Sequence, residues 1–567
     1  MNAKVELSGL VLLSLTPMKI YTMKQKSIFS IVILFLLFLW IPSVKSQQKL
    51  QRPKLVVGIV ADQMRWDYLY RYYDRYGDGG FKRLMNEGFE VKNTFINYVP
   101  SYTAVGHTVI FTGSVPAIDG ITGNNWIDQN TLQNVYCTDD STVQSVGADT
   151  KAGKMSPRNL LVTTITDELR LATNFHSKVV GVSLKDRASI LPAGHAANGA
   201  FWYDDDSQKF ITSTWYMNEL PDWVKNFNAK DEPAKFMSKD WNTLYPISTY
   251  TESTADNVPW EGTSKEEKNP VFPHKISEFF KTDKGLIRST PFGNTLTLNF
   301  AEAAIDGYDL GSGNYTDFLT VNLASTDYVG HKYGPNSIEA EDTYLRLDKD
   351  LASFFSFLDA RIGKGNYTVF LTADHGAAHA INFMKAHKLP ADFLQTTELV
   401  KALHDGLQKR FGNGNLIVND LNYHLRANKK LIDSLHLNFD EVKAEAVRIL
   451  ERQPGVAFAA DIPNIGKSAI PEPVKFMIAN GYNPKRAGEL IIIPESGWFP
   501  SNGKGTTHGA WNPYDTHIPL IFMGWGITHG HTSKTYYMSD IAPTLATLLH
   551  IQMPSGNVGK VITEIAK

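Results

Sequence analysis

Phe318-Leu-Thr-Val-Asn-Leu323 runs directly into Ala324-Ser-Thr-Asp327 and then Tyr-Val-Gly-His331. An apolar run of strand length ends at a carboxylate, and an imidazole follows four residues later. Near-continuous apolar strands of this kind are buried on both faces, as in a parallel sheet covered by helices. Four other stretches share the character. Leu55-Val-Val-Gly-Ile-Val60 ends at Ala61-Asp62, and Lys178-Val-Val-Gly-Val-Ser183 at Leu184-Lys185-Asp186-Arg187. Tyr367-Thr-Val-Phe-Leu-Thr372 ends at Ala373-Asp374-His375, and Ile518-Pro-Leu-Ile-Phe522 is the fifth run. Helical patterns separate them. The expected fold is therefore α/β, a mostly parallel central sheet flanked by helices. In such sheets ligands bind at the carboxyl ends of the strands, and four of the five runs carry a polar or charged cluster just there.

Two stretches break the alternation. Residues of about 201–290 are rich in Trp, Asp, Asn, Lys and Pro. Those of about 381–490 read as mainly helical, with Phe439, Val442, Ala446, Ile449 and Leu450 at helical spacing. Both are expected to be insertions that build a lid or substrate rim on one catalytic domain spanning 47–567. Ser539-Asp-Ile-Ala-Pro543 is expected to open the last helix, capped by Ser539 or Asp540, with Pro543 in the first turn.

The chain has 567 residues, 43% hydrophobic and 20% charged, with 56 Lys plus Arg against 58 Asp plus Glu. That composition belongs to a packed globular protein, and it lacks the basic excess of a nucleic-acid scaffold. Cys137 is the single cysteine. A disulfide framework and a thiolate metal site are excluded, so a transition metal here must use nitrogen and oxygen ligands.

Ile28 to Ile41 form a short apolar run, preceded by Lys24 and Lys26 and followed by Pro42 and Val44-Lys-Ser46. This reads as a secretory signal peptide over residues 1–46, cleaved after Ser46, with the true start at Met18 or Met23. An uncleaved anchor is the alternative, although the run is shorter than the ~18 residues of a spanning helix. The mature chain is expected to be periplasmic or secreted, without a membrane span, and a monomer.

The strand ends also assemble a metal constellation. Asp327 and His331 face one way if their turn is helical. Asp374-His375 ends the next run, Asp62 ends the first, and His508 lies in Gly503-Lys-Gly-Thr-Thr-His-Gly509. Three aspartates and three histidines exceed what one zinc takes, and they suit two metals about 4 Å apart. Two divalent cations against three carboxylates leave the site net positive, as a phosphate dianion requires. Singly, each residue has a plainer role: Asp62 a helix cap, Asp327/His331 an exposed pair, Asp374-His375-Gly376 a turn, His508 a loop histidine. His107 and His379 read as supporting groups, and His529-Gly-His531 as a solvated loop.

Pro100-Ser-Tyr-Thr103-Ala-Val-Gly-His-Thr108 opens a helix. A hydroxyl there meets the backbone N–H groups and positive dipole end that favour an anion. Chemistry alone leaves Ser101, Thr103 and Thr108 open as nucleophiles.

Taken in order, Asp62, Thr103 within Thr-Ala-Val-Gly-His-Thr, Phe111-Thr-Gly-Ser-Val-Pro116, Asn124, Asp327-x-x-x-His331, Asp374-His-Gly376 and His508 resemble the alkaline phosphatase superfamily. The similarity is to its single-chain, exported, zinc-dependent phosphate monoesterases and extends over most of the mature chain. The resemblance implies Thr103 as nucleophile. It implies one zinc held by Asp62, Asp374, His375 and Thr103, and a second held by Asp327, His331 and His508. Asn124, Lys185 and Arg187 would hold the phosphoryl oxygens, the last two marking monoesterases. The implied reaction takes phosphate monoesters to alcohol and phosphate through a phosphothreonine. A phosphodiesterase or nucleotide pyrophosphatase of the same superfamily is the alternative that would not need Lys185 and Arg187. A non-catalytic exported metal- or glycan-binding protein is the third reading. No formylglycine motif surrounds Cys137, which argues against a sulfatase.

Overall fold

Every position of Leu55–Ala61 (β1) is buried, as the continuous apolar run requires. This computed structural model describes residues 50–264 and 267–565. The expected signal peptide and the choice of start lie outside the described residues. β1 is followed by Phe89–Phe95 (β2), the helix Thr103–Thr112 (α1), Val179–Ser183 (β3), the helix Asp186–Ala193 (α2), Gly199–Asp204 (β4) and Lys209–Ser213 (β5). Then come Asp317–Leu323 (β6), the helices Ser325–Tyr333 (α3) and Ile338–Leu358 (α4), Tyr367–Thr372 (β7), the helix Thr396–Phe411 (α5), Leu520–Gly524 (β8), Gly530–Tyr537 (β9) and the helix Ile541–Leu549 (α6).

One sheet of 11 strands organises these elements. From one edge its order is His517–Ile518, β2, β8, β7, β1, β6, β3, β4, β5 and Ser145–Val146, with β9 added on β2. The central strands β7, β1, β6, β3 and β4 are parallel. Their register sets the site: Val60 pairs with both Thr372 and Asn322, and Val182 with Val321. Asp62, Asp374, Asp327 and Lys185 therefore leave the sheet at one edge.

The fifth apolar run departs from the parallel expectation. β8 runs antiparallel to β7, and Pro519, which has no N–H to donate, splits it from His517–Ile518. The chain arrives from Gly503–Gly509, at the carboxyl edge of the sheet, and must run back across it. α6 begins at Ile541 with Pro543 in its first turn, but no side chain caps it. The Asp540 carboxylate instead accepts from the Tyr537 and Lys560 amides. His529 and His531 are exposed, the latter on edge strand β9.

The segment 201–290 opens on scaffold, since β4 and β5 belong to the main sheet. Its remainder joins short helices, Asp222–Ala229 the longest, by loops and is anchored on α4. The buried Trp241 indole donates to Asp342 at 2.7 Å. His274 lies between Glu267 and Glu339, its two ring nitrogens 3.0 Å from each. The segment 381–490 carries α5 and the helix Phe439–Leu450, and also a four-stranded antiparallel sheet over 417–419, 424–427, 456–461 and 490–494. It has its own core of Leu399, Leu403, Leu407, Ile432, Val442 and Ala446. No helix among the described residues is long and apolar enough to cross a membrane.

Burial works against a charged His274, but Glu267 and Glu339 outweigh it and hold the imidazole up at about 9. A raised imidazole adds stability that is full below its unfolded value near 6.5 and is lost as pH rises through 9. Glu261, held up to about 10 by burial and by Glu339, acts in the same direction. Thermal melts should therefore show stability falling between pH 7 and pH 10. His274→Gln should flatten that slope by an amount on the order of 2 kcal/mol. An unchanged slope in the variant would remove His274 from the account.

Candidate active site

Both sets of three donors form where the strand ends meet. Asp62, Asp374 and His375 make one, and Asp327, His331 and His508 the other, with the donor atoms of each set within 4.8 Å of one another. In the first, His375 Nε2 lies 3.3 Å from Asp374 Oδ2 and 3.7 Å from Asp62 Oδ1. In the second, Asp327 Oδ1 lies 3.1 Å from His331 Nε2 and 3.9 Å from His508 Nε2. The His375 and His508 rings stack at 3.4 Å and join the sets.

Backbone carbonyls orient all three imidazoles. Nδ1 of His331 donates to Thr506 O at 2.8 Å, that of His375 to Gly376 O at 3.0 Å, and that of His508 to Ser101 O at 2.7 Å. Each ring thus turns its Nε2 into the site, the nitrogen that a metal would take. Burial, then His375 and His331, push His508 far below the ordinary histidine range, which keeps that ring neutral. Asp62 Oδ1 and Asp374 Oδ2 are buried without a hydrogen-bond partner among the described residues. Burial, then repulsion from Asp374, lifts the Asp62 carboxyl well above its ordinary range, with Lys185 opposing. Orphaned carboxylate oxygens facing inward-turned imidazoles are a fitting donor set for divalent cations.

Thr103 is the first residue of α1, and its Oγ1 lies 3.4 Å from His375 Nε2. The competing hydroxyls are committed elsewhere. Ser101 Oγ donates to Ala510 O, and Thr108 Oγ1 back-bonds to Ala104 O. Asn124 Oδ1 accepts from the Ala104 amide at 2.9 Å, which turns its NH2 group outward beside Thr103. The Asn124 loop is itself held by Asn422, whose amide donates to Asn125 O at 2.8 Å.

Lys185 sits 2% exposed just beyond β3, with Nζ 2.8 Å from Asp62 Oδ2 and 2.7 Å from Asp327 Oδ2. Burial disfavours its charge, but Asp327 and Asp62 outweigh burial and hold the ammonium above its ordinary value. Two of its three N–H groups are so occupied, and one is left for a ligand. Arg187 donates to Tyr136 Oη at 3.1 Å, and Tyr136 donates on to Asp186 at 2.7 Å. Arg187 Nε is buried and unpartnered among the described residues.

Some positioning residues carried no sequence signal as chemistry. Gln63, at φ +63°, donates from its backbone to Asp374 Oδ1 and from its side chain to Asp327 Oδ1 at 2.6 Å, tying the two sets together. A polar residue right after a strand-end aspartate is the only trace of it in the sequence. Asn322 bridges Ser183 and Asp62 from within β6. His107 supports the site, its Nδ1 2.9 Å from Thr103 O and 3.4 Å from Asp374 Oδ2. His379 pairs with Asn336 and stands apart from both donor sets.

Gly106 explains the glycine of Thr-Ala-Val-Gly-His-Thr. A Cβ there would collide with the Asp374 carbonyl and sit 2.7 Å from Asp374 Cβ, so α1 lies directly against the end of β7. Gly106→Ala should part Thr103 and Asp374. We expect one fewer tightly held metal per chain, a kcat/KM lower by about 10²-fold or more, and a folded circular dichroism spectrum. Full metal content and activity would contradict that packing constraint.

Comparisons with known proteins agree with this geometry. Residues 56–517 match the family model "Type I phosphodiesterase / nucleotide pyrophosphatase". The chain is 57% identical over 517 residues to alkaline phosphatase PafA of Elizabethkingia meningoseptica, covering 91% of this chain and 94% of that protein. It is 54% identical over 523 residues to alkaline phosphatase PhoV of Synechococcus elongatus, covering 92% and 94%. The crystal structure of wild-type PafA superposes with a TM-score of 0.89 at 56% identity, covering 91% of this chain and 99% of that one. The chain therefore belongs to the alkaline phosphatase superfamily and, within it, to the PafA-type alkaline phosphatases.

Proposed function

We propose that the protein hydrolyses phosphate monoesters to an alcohol and inorganic phosphate, with Thr103 as nucleophile and zinc at both donor sets. The observation that carries this is the Thr103 hydroxyl. It stands at a helix N-terminus beside His375 and close to two sets of N and O donors, one buried and one with His331 partly exposed, while its rivals Ser101 and Thr108 bond to carbonyls. Asp62, Asp374 and His375 would hold one zinc, and Asp327, His331 and His508 a second; when bound, they would supply Lewis acidity for the attacking and departing oxygens.

The remaining work falls to the protein's own groups. The N-terminus of α1 favours negative charge at Thr103 Oγ1 as it attacks phosphorus. Thr103 gives up its hydroxyl proton to solvent water as the Oγ1–P bond forms and the P–O(ester) bond breaks. The ester oxygen departs on the opposite side, toward Asp327, His331 and His508, and takes a proton from solvent water to leave as the alcohol. Water resolves the resulting phosphothreonine by a second in-line displacement that returns the Thr103 hydroxyl. The Asn124 NH2, the third Lys185 N–H and the Arg187 guanidinium hold phosphoryl oxygens. Fixed donors aimed at developing charge in a buried site need no reorganisation during reaction.

A monoester dianion uses two cations on its non-bridging oxygens, whereas a diester replaces one oxygen with an organic group. The buried Lys185 and the nearby Arg187 thus favour the monoesterase reading over the diesterase one. Export as a periplasmic or secreted monomer, after cleavage at Ser46, completes the proposal. N-terminal sequencing of the mature protein and its mass by light scattering check it.

Thr103→Ala should lower kcat/KM for p-nitrophenyl phosphate by ~10³-fold or more and abolish the acid-stable phosphoryl-enzyme. Wild-type turnover in that variant would sink the assignment. Lys185→Ala/Arg187→Ala should lower the ratio of p-nitrophenyl phosphate to bis-p-nitrophenyl phosphate hydrolysis by about tenfold or more. A ratio that stays put, with the diester cleaved as well as the monoester, would make the enzyme a phosphodiesterase.

A further inference from the structure

A cavity of about 360 Å³ opens beside the second donor set. Its inner wall is His508 and Tyr102, the ligand candidate and the residue preceding Thr103, whose rings meet edge to face at 5.6 Å. Its outer wall comes from the inserted unit: Leu399 and Val400 of α5, Tyr423 and Ile492, with the polar Thr396 and Asn419 beside them. Leu399 and Ile492 belong to that unit's own core, so this wall is firm, while Val400 and Tyr423 are half-buried.

The direction of the reaction decides what enters. On the reading proposed above, Thr103 attacks from the side of His375, and the departing oxygen points at Asp327, His331 and His508. The organic group on that oxygen then extends past His508, where this cavity lies. No lysine or arginine lines it. Asp420 is the charged residue among its walls, and its carboxylate already accepts from Gln129 and from the Leu421 amide. A second phosphate or a carboxylate on the departing group would meet no cation there. By contrast, the cavity of about 470 Å³ on the other side, at Lys185, Arg187 and Arg288, has cations on its walls.

We propose that the cavity between Tyr102, His508 and the inserted unit is the subsite for the departing alcohol, and that it selects uncharged apolar or aromatic alcohols. This rests on the monoesterase reading. Apolar area taken from water lowers the free energy of the bound transition state only where the wall is apolar, and Leu399, Val400, Tyr423 and Ile492 provide that wall.

The test compares 2-phenylethyl phosphate with ethyl phosphate, whose alcohols are of similar acidity, so the chemical step is matched. For the wild type we expect kcat/KM about 10- to 50-fold higher for the phenylethyl ester, and a rise along 1-alkyl phosphates from two to eight carbons. Val400→Glu should bring the phenylethyl-to-ethyl ratio below about 3, chiefly through KM, and Val400→Ala should lower it less. A flat alkyl series in the wild type, or an unchanged ratio in both variants, would overturn the subsite. The alkyl series decides even if Val400→Glu fails to fold. Failure of the wild type to cleave either ester, with zinc supplied, would instead overturn the monoesterase reading and take this inference with it.

Discussion

Three carboxylates buried within one site must be offset by positive charge, and the arrangement of this protein derives from that requirement. Lys185 meets part of it by standing between Asp62 and Asp327, one from each donor set. A fully desolvated ammonium or carboxylate is costly alone, but together, with good geometry, they are tolerated. The offset is incomplete. One lysine cannot neutralise three aspartates, and the Asp62 carboxyl is left well above its ordinary range by burial and by Asp374, despite Lys185. The inward-turned imidazoles and orphaned carboxylate oxygens locate where further cations belong. Lys185 thus does two things: it sets the distance between the donor sets, and it leaves one N–H for an anion that the filled site would attract.

Such charge density has to be held by something stiff. The parallel core of the sheet provides this, because its register fixes the ends of β1, β6, β7 and β3 relative to one another. Short bonds then pin the residues just beyond each strand. Thr326 Oγ1 donates to Asp62 O at 2.6 Å, Ser183 Oγ accepts from the Lys185 amide at 2.8 Å, and Gln63 reaches both Asp374 and Asp327. Gln63 holds a positive φ, a conformation that costs a non-glycine residue about a kcal/mol or more and persists where surrounding contacts demand it. Here the demand is that one residue serve both donor sets.

The sequence discloses only the traces that strands and helices leave in it. Asp62, Asp327 and Asp374 were legible because an apolar run shows where a strand ends, and parallel strands bring like ends together. His331 was legible from the four-residue spacing of a helix turn. His508 carries a weaker mark: no spacing ties it to a strand, since a long insertion separates it from β7, so only its glycine-flanked segment brings it into the constellation, and the resemblance assigns it to the second set. The antiparallel course of β8 was hidden because an apolar run carries no mark of its direction. The inserted antiparallel sheet was missed because strands as short as Ile417–Asn419, set among strongly periodic helices, leave too few residues for an alternation to register. Gln63 and Gly106 were opaque for another reason. Their roles lie in a backbone angle and a close approach that exist only once the strand ends and α1 are in place.

The inserted unit ties specificity to chemistry. Its hairpin residue Asn422 bonds Asn125 O and packs so closely on Gly123 that a Cβ at that glycine would collide with the Asn422 amide. It therefore steadies Asn124 beside Thr103. Tyr423, the next residue of the hairpin, lines the cavity beside His508. The wall that would receive the departing alcohol and the brace on a phosphoryl-oxygen donor are thus adjacent residues of one hairpin. A scaffold built this way can alter its alcohol preference through α5 and Ile492, which lie outside the hairpin that braces Asn124. Changes in the hairpin itself act on both the alcohol and the phosphoryl group.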